Sequence, residues 1–303
     1  MVPSKGCAGR ACFPAAPTEM IKVTMPEAHD IVRKAEAELD GFADFLEIEG
    51  IKVYCPSQEV DWLAEGGYTG AMPRDGLLRV GNILIEACLA WSCRSREIEI
   101  GVTVIRRPPG SFADTLLRDD GTKVQPWVIN NSRPAFDAAD FMRLGKNIMG
   151  RYSHVTNRAG VKYLQENLPA GYTIEPLDVN GPSAMHIDAT ILPLCQGLLG
   201  YNPNKVTEAA LRARPVLADW DLRPYPFVPK KGLNGLPLFM TSPWLVLTAL
   251  VLDGERVVVE AGDEKTARWF EELGMRCPFK HVNSLRGSFH CATVDPVRRT
   301  VAN

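Results

Sequence analysis

The first strong pattern along the chain is a run of apolar residues at helical spacing. Thr24 and Glu27 have the spacing of a helix-capping box, Pro26 is tolerated in a first turn, and Gly50 provides a stop signal. Between these signals the apolar positions recur every three or four residues, which predicts a helix with one buried face. The apolar stripe consists of Ile31, Ala35, Leu39, Phe42 and Leu46.

A second rhythm follows, in which short apolar runs are broken by turn residues and then joined to a helix. After a short strand at 51–54, two runs within 77–87 flank Gly81-Asn82, and two within 186–201 flank Gln196-Gly197. The associated helices are predicted at 207–212 and, after a strand at 256–261, at 264–273. Such repeated units predict an α/β fold, either a layered sheet or modules arranged around an axis.

The composition excludes several classes of protein. With 303 residues, 46% hydrophobic positions and a formal net charge of −2, the chain lacks the basic surface expected for binding nucleic acid or an anionic membrane. Its longest apolar run, around 244–252, is too short to span a bilayer. No linker-like segment divides it, so we expect an irregular region at 1–20 and a single domain at 21–303.

Eight cysteines at irregular spacings favour reduced thiols in a reducing compartment, cytoplasmic or mitochondrial, over disulfides or a zinc site. The first residues have no apolar secretory core, and an organelle-targeting leader is kept as an alternative.

His186 and Asp188 form the first candidate site. If 185–191 is a strand, side-chain alternation places both residues on one face, where an imidazole and a carboxylate would share a space. A His-x-Asp pair is also typical of an exposed strand surface.

Cys291 is the second candidate, because Gly287 precedes it and an apolar, extended pattern follows it. A reactive thiolate needs nearby positive charge or a hydrogen-bond donor. Adjacent residues of a strand point to opposite faces, so His186 is a better partner for the thiol than His290. The alternative is a buried, inert cysteine.

Asp75 and Asp137 are acids at predicted element boundaries. Asp137 could simply cap a helix running through Phe141, Leu144 and Ile148. One thiol, one imidazole and several carboxylates together also suit a guanidinium substrate. Carboxylates accept the N–H groups of this planar cation, and a thiolate is needed to attack its poorly electrophilic carbon.

At these residues the chain resembles the glycine amidinotransferase family, which includes enzymes acting on inosamine phosphates, lysine and toxin precursors. The resemblance runs in order from about residue 26 to the end. Its motifs are Ala71-Met72-Pro73-Arg74-Asp75, Val80-Gly81-Asn82, Ile85-Glu86-Ala87, Phe136-Asp137-Ala138-Ala139-Asp140-Phe141, Met185-His186-Ile187-Asp188-Ala189-Thr190, Asn202-Pro203, Asn283-Ser284-Leu285 and Phe289-His290-Cys291.

The resemblance implies a five-module α/β propeller of the pentein type, shared with arginine-modifying hydrolases. It also implies that Cys291 is the nucleophile, that His186 is the general acid/base and that Asp137 orients this histidine. Asp75 and Asp188 would hold the guanidinium. The implied reaction is ping-pong: arginine leaves its amidino group on the cysteine, and an acceptor amine, glycine by default, takes it.

The family also implies small-molecule substrates, no metal, no organic cofactor and, commonly, a homodimer. Around the acceptor pocket this chain departs from the family text. Lys205 stands where an arginine often receives the substrate carboxylate, and Ser183 replaces an asparagine before Met185. The predicted substrate-binding set is completed by Lys205, Ser183, Met185 and Arg74.

Two scaffold differences leave other functions open. An early strand with an Asn-x-x-Asp-Pro-Leu-like text is not found, and the helix expected after Arg94-Ser95-Arg96 is short. A sheet edge could therefore be open and the propeller could lack N-terminal elements. The alternatives are a hydrolase of arginine or a related guanidino compound, and an inactive guanidino-binding relative.

Overall fold

The structure of the protein is a computed structural model that describes residues 25–54, 72–90, 94, 113–117, 123–129, 131–180, 186–227, 243–260, 263–276 and 289–295. The helices of this part of the chain are α1 (Met25–Ile48), α2 (Pro73–Gly76), α3 (Arg158–Asn167), α4 (Glu208–Arg212) and α5 (Glu264–Glu272). Single 3₁₀ turns lie at Ala138–Asp140, Ile187–Ala189, Pro215–Leu217 and Pro243–Leu247.

The described strands are short and form five small sheets. They are β1 (Leu77–Val80), β2 (Ile83–Glu86), β3 (Ala113–Leu117), β4 (Lys123–Ile129), β5 (Phe141–Leu144), β6 (Asn147–Gly150), β7 (Thr173–Pro176), β8 (Ile191–Cys195), β9 (Leu198–Tyr201), β10 (Asp221–Pro224), β11 (Leu250–Val251) and β12 (Val257–Val258). Antiparallel pairs are β1–β2, β3–β4, β5–β6, β8–β9 and β11–β12, while β7 joins β6 and β10 joins β9 in parallel. The fold is therefore α/β with mixed sheets.

One structural unit recurs along the described chain: a helical turn followed directly by an antiparallel pair of strands. Helix α2 leads into β1, the 3₁₀ turn Ala138–Asp140 leads into β5, and the turn Ile187–Ala189 is followed by β8. In two units a longer helix then leads to a third strand that pairs in parallel, as α3 leads to β7. The turns α2, Ala138–Asp140 and Ile187–Ala189 contact one another in sequence, so residues at their starts come together.

Apolar clusters between the helices and the strand pairs hold these units together. Leu164 of α3 is fully buried in the cluster that contains Ile85 and Ile148, and Trp269 and Phe270 of α5 pack in a second cluster. Burial of side chains of this size stabilises a domain by roughly 1.5–3 kcal/mol each relative to an exposed position. The site residues are carried on the turns at the margins of these clusters.

Several sequence predictions are confirmed. Helix α1 covers the predicted apolar stripe, with Phe42 and Leu46 buried against Phe289, and Gly50 follows it at φ 81°. The predicted turns at Gly81-Asn82 and Gln196-Gly197 connect β1–β2 and β8–β9. Helices α4 and α5 lie within the predicted ranges. Thr24 of the predicted capping box lies outside the described residues.

Three local predictions are wrong. Residues 51–54 form no strand, and the predicted helix through Phe141 and Ile148 is the β5–β6 hairpin instead. His186 and Asp188 do not alternate on a strand, because the 3₁₀ turn Ile187–Ala189 intervenes before β8. In the first and third cases apolar content and β-branched residues suggested strands, whereas tertiary contacts decided the backbone conformation.

The predicted extended pattern at Cys291 is also wrong in part. Residues 289–292 form turns, and the chain leaves turn structure only from Thr293. Because the alternation of a strand does not apply here, His290 and Cys291 both reach the same carboxylate of Asp188. Among the described helices, none combines the length and the apolar character needed to cross a membrane.

Candidate active site

Most predicted site residues lie on the turns that begin the repeated units. Asp75 lies within α2, Asp137 immediately precedes the turn Ala138–Asp140, and His186 immediately precedes the turn that contains Asp188. Cys291 comes from the C-terminal segment, whose backbone carbonyl accepts a hydrogen bond from the N–H of Arg74 at 3.3 Å. Segments far apart in sequence therefore meet in one place.

His186 lies between two buried carboxylates. Its Nε2 is 3.1 Å from Oδ2 of Asp137, and its Nδ1 is 3.7 Å from Oδ1 of Asp75. Burial alone would lower the pKa of His186, but the negative charges of Asp75, Asp137 and Asp140 raise it to about 10. The imidazole is therefore a cation at neutral pH, with a proton available for donation.

The backbone of His186 is strained. Its φ is 62°, a value that side chains with a Cβ rarely adopt, and it is the one positive-φ residue other than glycine in the described chain. Strain of this kind persists where surrounding contacts over-determine the conformation, and it often accompanies a functional site. Here the contact with Asp137 is one such constraint.

Asp137 has the position of a helix cap without the interaction. It precedes the 3₁₀ turn Ala138–Asp140, but its side chain makes no capping hydrogen bond. Instead its Oδ2 faces His186 and Arg94, and its backbone N–H is bound by Thr156. The capping interpretation of Asp137 is therefore wrong, and its carboxylate is available to the site.

Arg94 binds both carboxylates of this cluster. Its guanidinium donates to Oδ2 of Asp75 at 3.0 Å and to Oδ2 of Asp137 at 3.4 Å, and all three side chains are buried. Sequence reasoning missed this residue, because nothing in the local text around position 94 distinguishes a surface arginine from a buried one. Its pairing with Asp75 and Asp137 depends on tertiary structure.

Asp75 retains one oxygen for another partner. Oδ1 is buried and, among the described residues, forms no hydrogen bond. Burial raises the pKa of Asp75, although the charges of His186 and Arg94 oppose the rise. A buried carboxylate oxygen without a donor is costly unless a ligand supplies one, which suits the N–H groups of a guanidinium.

The three groups Asp75, Asp137 and His186 offer ligand atoms within 4.8 Å of one another. In this structure the positive charge beside the two carboxylates belongs to the guanidinium of Arg94 and the imidazolium of His186. The cluster is thus arranged around planar organic cations.

Cys291 lies on the other side of the site, next to Asp188. Its Sγ is 3.6 Å from Oδ2 of Asp188, and the same oxygen is 2.8 Å from Nδ1 of His290. Burial would raise the pKa of Asp188, but the hydrogen bond from His290 and the charges of His186 and Arg74 lower it overall. Asp188 is therefore ionised beside the sulfur.

Arg74 supports the segment that carries Cys291. Its Nε donates to the backbone oxygen of His290 at 3.2 Å, and its Nη2 binds Asp295 at 3.3 Å. Arg143 also contacts Asp295, at 3.7 Å. These contacts tie α2 to the C-terminal segment, which positions Cys291 relative to Asp75.

A second polar network lies beside His186. Asp140 is fully buried and accepts from Thr156 Oγ1 at 2.6 Å and from the hydroxyl of Ser153. Burial raises the pKa of Asp140 to about 6, against the opposing charges of His186 and Arg151. Sequence reasoning named Asp140 only as part of the motif that contains Asp137 and gave it no role in the site.

Lys205 is partly buried near Arg151. The pKa of Lys205 is lowered by burial and by the charge of Arg151. Arg151 is itself buried, and within the described chain its Nη1 has no hydrogen-bond partner. A lysine beside an arginine whose Nη1 has no partner within the described chain is suited to binding an anion such as a carboxylate. The other predicted substrate-binding residues, Ser183 and Met185, lie outside the described residues.

The fold and the site together define a class: an α/β protein in which a cysteine and a histidine lie among buried carboxylates that can bind a guanidinium. Comparison with known proteins gives the family. The chain is 38% identical over 301 residues to an L-arginine:L-lysine amidinotransferase of Pseudomonas savastanoi pv. phaseolicola, covering 90% of this chain and 80% of the relative. It is 34% identical over 311 residues to the mitochondrial glycine amidinotransferase of Danio rerio, covering 91% and 72%.

Solved structures agree. The amidinotransferase of saxitoxin biosynthesis from Microseira wollei superposes with a TM-score of 0.76 at 32% identity, covering 90% of this chain and 85% of that one. The inosamine-phosphate amidinotransferase of Streptomyces griseus gives 0.74 at 28% identity, covering 90% and 83%. A dimethylarginine dimethylaminohydrolase, at 15% identity and a TM-score of 0.55 over 84% and 86%, shares the fold alone.

No family model matches the sequence. The identity and coverage of the relatives are nevertheless sufficient to place it: the chain belongs to the amidinotransferase family, whose members are transferases.

Proposed function

We propose that the protein transfers the amidino group of arginine to an acceptor amine through a covalent intermediate on Cys291. The observation that carries the proposal is the position of Sγ of Cys291, which lies 3.6 Å from the ionised carboxylate of Asp188. The segment that carries Cys291 is bound to α2, the helix that contains Asp75. The relatives named above support the reaction class, and the contacts of the site support the proposed roles of the residues.

The first step is the binding of the donor guanidinium between Asp75 and Asp188. Asp75 contributes Oδ1, which is buried and accepts no hydrogen bond within the described chain, and Asp188 lies beside the sulfur. A cation at this position favours the thiolate of Cys291, because it offsets the negative charge of the neighbouring carboxylate. The nucleophile therefore becomes charged when its substrate arrives, and the thiol proton is released to the solvent.

The first half-reaction breaks the bond between the amidino carbon and the side-chain nitrogen of arginine. The Cys291 thiolate forms the new carbon–sulfur bond, and His186 gives its proton to the departing nitrogen, so that ornithine leaves as a neutral amine. A lysine-like amine has a pKa of about 10.4, and the pKa of His186 is about 10. Similar pKa values allow proton transfer at little cost in free energy.

The second half-reaction reverses these roles. An acceptor amine attacks the amidino carbon, its proton moves to His186, and the carbon–sulfur bond breaks to release the thiolate. Asp137 holds the imidazole by its Nε2 and stabilises the imidazolium that forms. The charges that this scheme uses all belong to the chain, and the absence of a metal or organic cofactor stays a prediction.

Glycine is our default acceptor, and lysine is the second candidate because one relative is named for it. Lys205, with Arg151 nearby, is placed to receive a substrate carboxylate as a point charge. Ser183 and Met185 are proposed to border the acceptor pocket. Arg74 stays a proposed substrate-binding residue, and its observed contacts are to the segment that carries Cys291.

We further propose that residues 21–303 form one five-module propeller of the pentein type. The five small sheets of the described chain and the repeated turn–hairpin unit support this arrangement. A homodimer and a cytoplasmic or mitochondrial location stay predictions.

The test is incubation of the purified protein with ¹³C-guanidino-labelled arginine, followed by intact mass spectrometry and product analysis with glycine and lysine. We expect one amidino group on the wild-type protein, released as a guanidino product by the true acceptor. Cys291→Ala is expected to gain none. Labelling of Cys291→Ala to the wild-type level contradicts the proposed nucleophile.

The control reaction omits the amine. Release of citrulline or urea at the full rate in water alone would identify a hydrolase instead. Arginine binding with no adduct on Cys291 would identify an inactive guanidino-binding protein.

A further inference from the structure

The imidazole of His290 has no part in the mechanism proposed for the reaction. It nevertheless makes a short contact to Asp188, one of the two aspartates proposed to bind the guanidinium. Its Nδ1 lies 2.8 Å from Oδ2 of Asp188, and its side chain is 14% exposed. The sulfur of Cys291 contacts the same oxygen. Both interactions thus engage Oδ2, and neither engages Oδ1.

The protonation states define the direction of this bond. Burial and the charge of Arg74 lower the pKa of His290, in spite of Asp188 and Asp295, which favours the neutral ring. Asp188 is ionised and can only accept. The proton between these two atoms is therefore on Nδ1, and His290 donates to Asp188.

The backbone of His290 is held from several sides. Its N–H donates to the carbonyl of Thr248 at 3.0 Å, and its own carbonyl accepts from Arg74 Nε at 3.2 Å and from Thr293 Oγ1 at 3.3 Å. An imidazole on such a fixed backbone is a rigid donor, because few degrees of freedom are left to its side chain.

We propose that His290 is a positioning residue that holds Asp188 by Oδ2 and so presents Oδ1 to the guanidinium of the donor. This inference rests on the proposed function. The two histidines of the site then have separate tasks. His186 carries the mobile proton beside Asp137, and His290 keeps its proton in order to orient a carboxylate.

Position-specific amide substitution tests the inference. In His290→Asn the side-chain amide lies near the place of Nδ1 and can still donate to Asp188, whereas in His290→Gln it lies near the place of Nε2. His290→Leu removes the donor altogether. Loss of a hydrogen bond to a charged group reduces binding by about 10- to 100-fold.

We expect His290→Gln and His290→Leu to raise the KM for arginine by about 10- to 100-fold with a much smaller change in kcat. For His290→Asn the KM for arginine should stay within about 5-fold of the wild-type value, which is a smaller change than the loss of one such hydrogen bond would cause. The comparison of Asn with Gln stands even if the Leu variant fails to fold. Equal KM values for Asn and Gln, or a loss confined to kcat, would overturn the inference.

Direct binding separates this inference from the proposed function. Arginine affinity is measured by calorimetry in Cys291→Ser, which cannot form the adduct, with and without His290→Gln. A weaker affinity in the double variant supports the positioning role whether or not an acceptor has been found, and an unchanged affinity refutes it. Absence of any adduct on the wild-type protein refutes the proposed function alone.

Discussion

Oδ2 of Asp137 is shared by two cationic side chains: Nε2 of His186 lies 3.1 Å away and Nη1 of Arg94 lies 3.4 Å away. Arg94 also binds Asp75, which faces the other nitrogen of the same imidazole. Four buried charges therefore alternate in sign. The opposite charges attract one another, which offsets part of the cost of burying them.

The first prediction concerns stability as a function of pH. The pKa of His186 is raised from 6.5 to about 10 by its carboxylate neighbours. A group whose pKa is raised in the folded state contributes stability that is complete below its unfolded pKa, and this contribution is lost as pH rises through the folded value. We therefore expect the free energy of unfolding to fall between pH 6.5 and about 10, as measured by urea denaturation.

His186→Asn should flatten this dependence, and Asp137→Asn should reduce it, because the imidazolium then loses the negative charge beside its Nε2. A slope in His186→Asn equal to that of wild type would show that other groups titrate in this range.

The second prediction concerns Arg94. In Arg94→Gln the carboxylates of Asp75 and Asp137 lose their shared cation, so the pKa of Asp75 should rise further. We expect kcat/KM for arginine to fall on the order of 100-fold, as for breaking a buried ion pair of about 3 kcal/mol. The acidic limb of its pH profile should move to higher pH.

Arg94→Lys keeps the charge but loses the fork, so an intermediate activity is expected. Arg214→Gln, which breaks the more exposed pair with Glu175, is the matched control and should leave the profile unchanged. A lower KM in Arg94→Gln would mean that the Arg94 guanidinium blocks the substrate site.

The third prediction concerns the carboxylate of the substrate. Lys205→Met should raise the KM for arginine or for an amino-acid acceptor by about 10-fold, the effect of one charged hydrogen bond, while Lys205→Arg should retain binding. The pKa of Lys205 is lowered by burial and by Arg151. Wild-type KM should therefore increase at alkaline pH earlier than for an ordinary lysine.

Agmatine, which is arginine without its carboxylate, serves as the comparison substrate. Its kinetics should be the same in wild type and Lys205→Met. A loss of activity toward agmatine equal to the loss toward arginine would contradict a carboxylate-binding role.

The fourth prediction concerns the scaffold behind Asp137. A Cβ at Gly160 would lie 2.2 Å from the backbone oxygen of Ala135. Asn157 binds the N–H groups of both Gly160 and Ala135, so the start of α3 is tied to the segment that leads to Asp137. Gly160→Ala should therefore lower the free energy of unfolding by about 1–3 kcal/mol and reduce activity.

Gly41→Ala is the matched control, because no atom lies within 4 Å of a Cβ at that position of α1. It should leave stability unchanged or raise it by about 0.5–1 kcal/mol through higher helix propensity. Equal melting temperatures for Gly160→Ala and wild type would show that the contact is relieved without cost.

The local elements that were predicted well are those whose conformation is specified by neighbouring residues. Helix α1 is marked by its apolar stripe, and the β1–β2 and β8–β9 turns are marked by Gly81 and Gly197, both at positive φ. Elements set by distant contacts were predicted wrongly. The turn after His186 depends on a strained backbone that the site itself holds in place.

The site residues also divide into those that local sequence motifs indicated and those whose roles depend on distant contacts. Motif resemblance brought Cys291, His186 and the aspartates to notice, and the structure brings Asp137 to His186 and Asp188 to Cys291. Arg94 and His290 were missed or set aside, because their roles depend on partners that are 43 and 102 residues away in sequence. No local spacing encodes such pairs.

The amino-acid sequence by itself determined the family and the α/β class, and it proposed the thiol, imidazole and carboxylates of the site, because these proposals follow from residue types in a fixed order. Only the tertiary structure decided which histidine bears a charge and which carboxylate faces the sulfur. The physical reason is that pKa values and hydrogen-bond partners depend on burial and on distances of a few ångströms, which arise when turns from separate units meet.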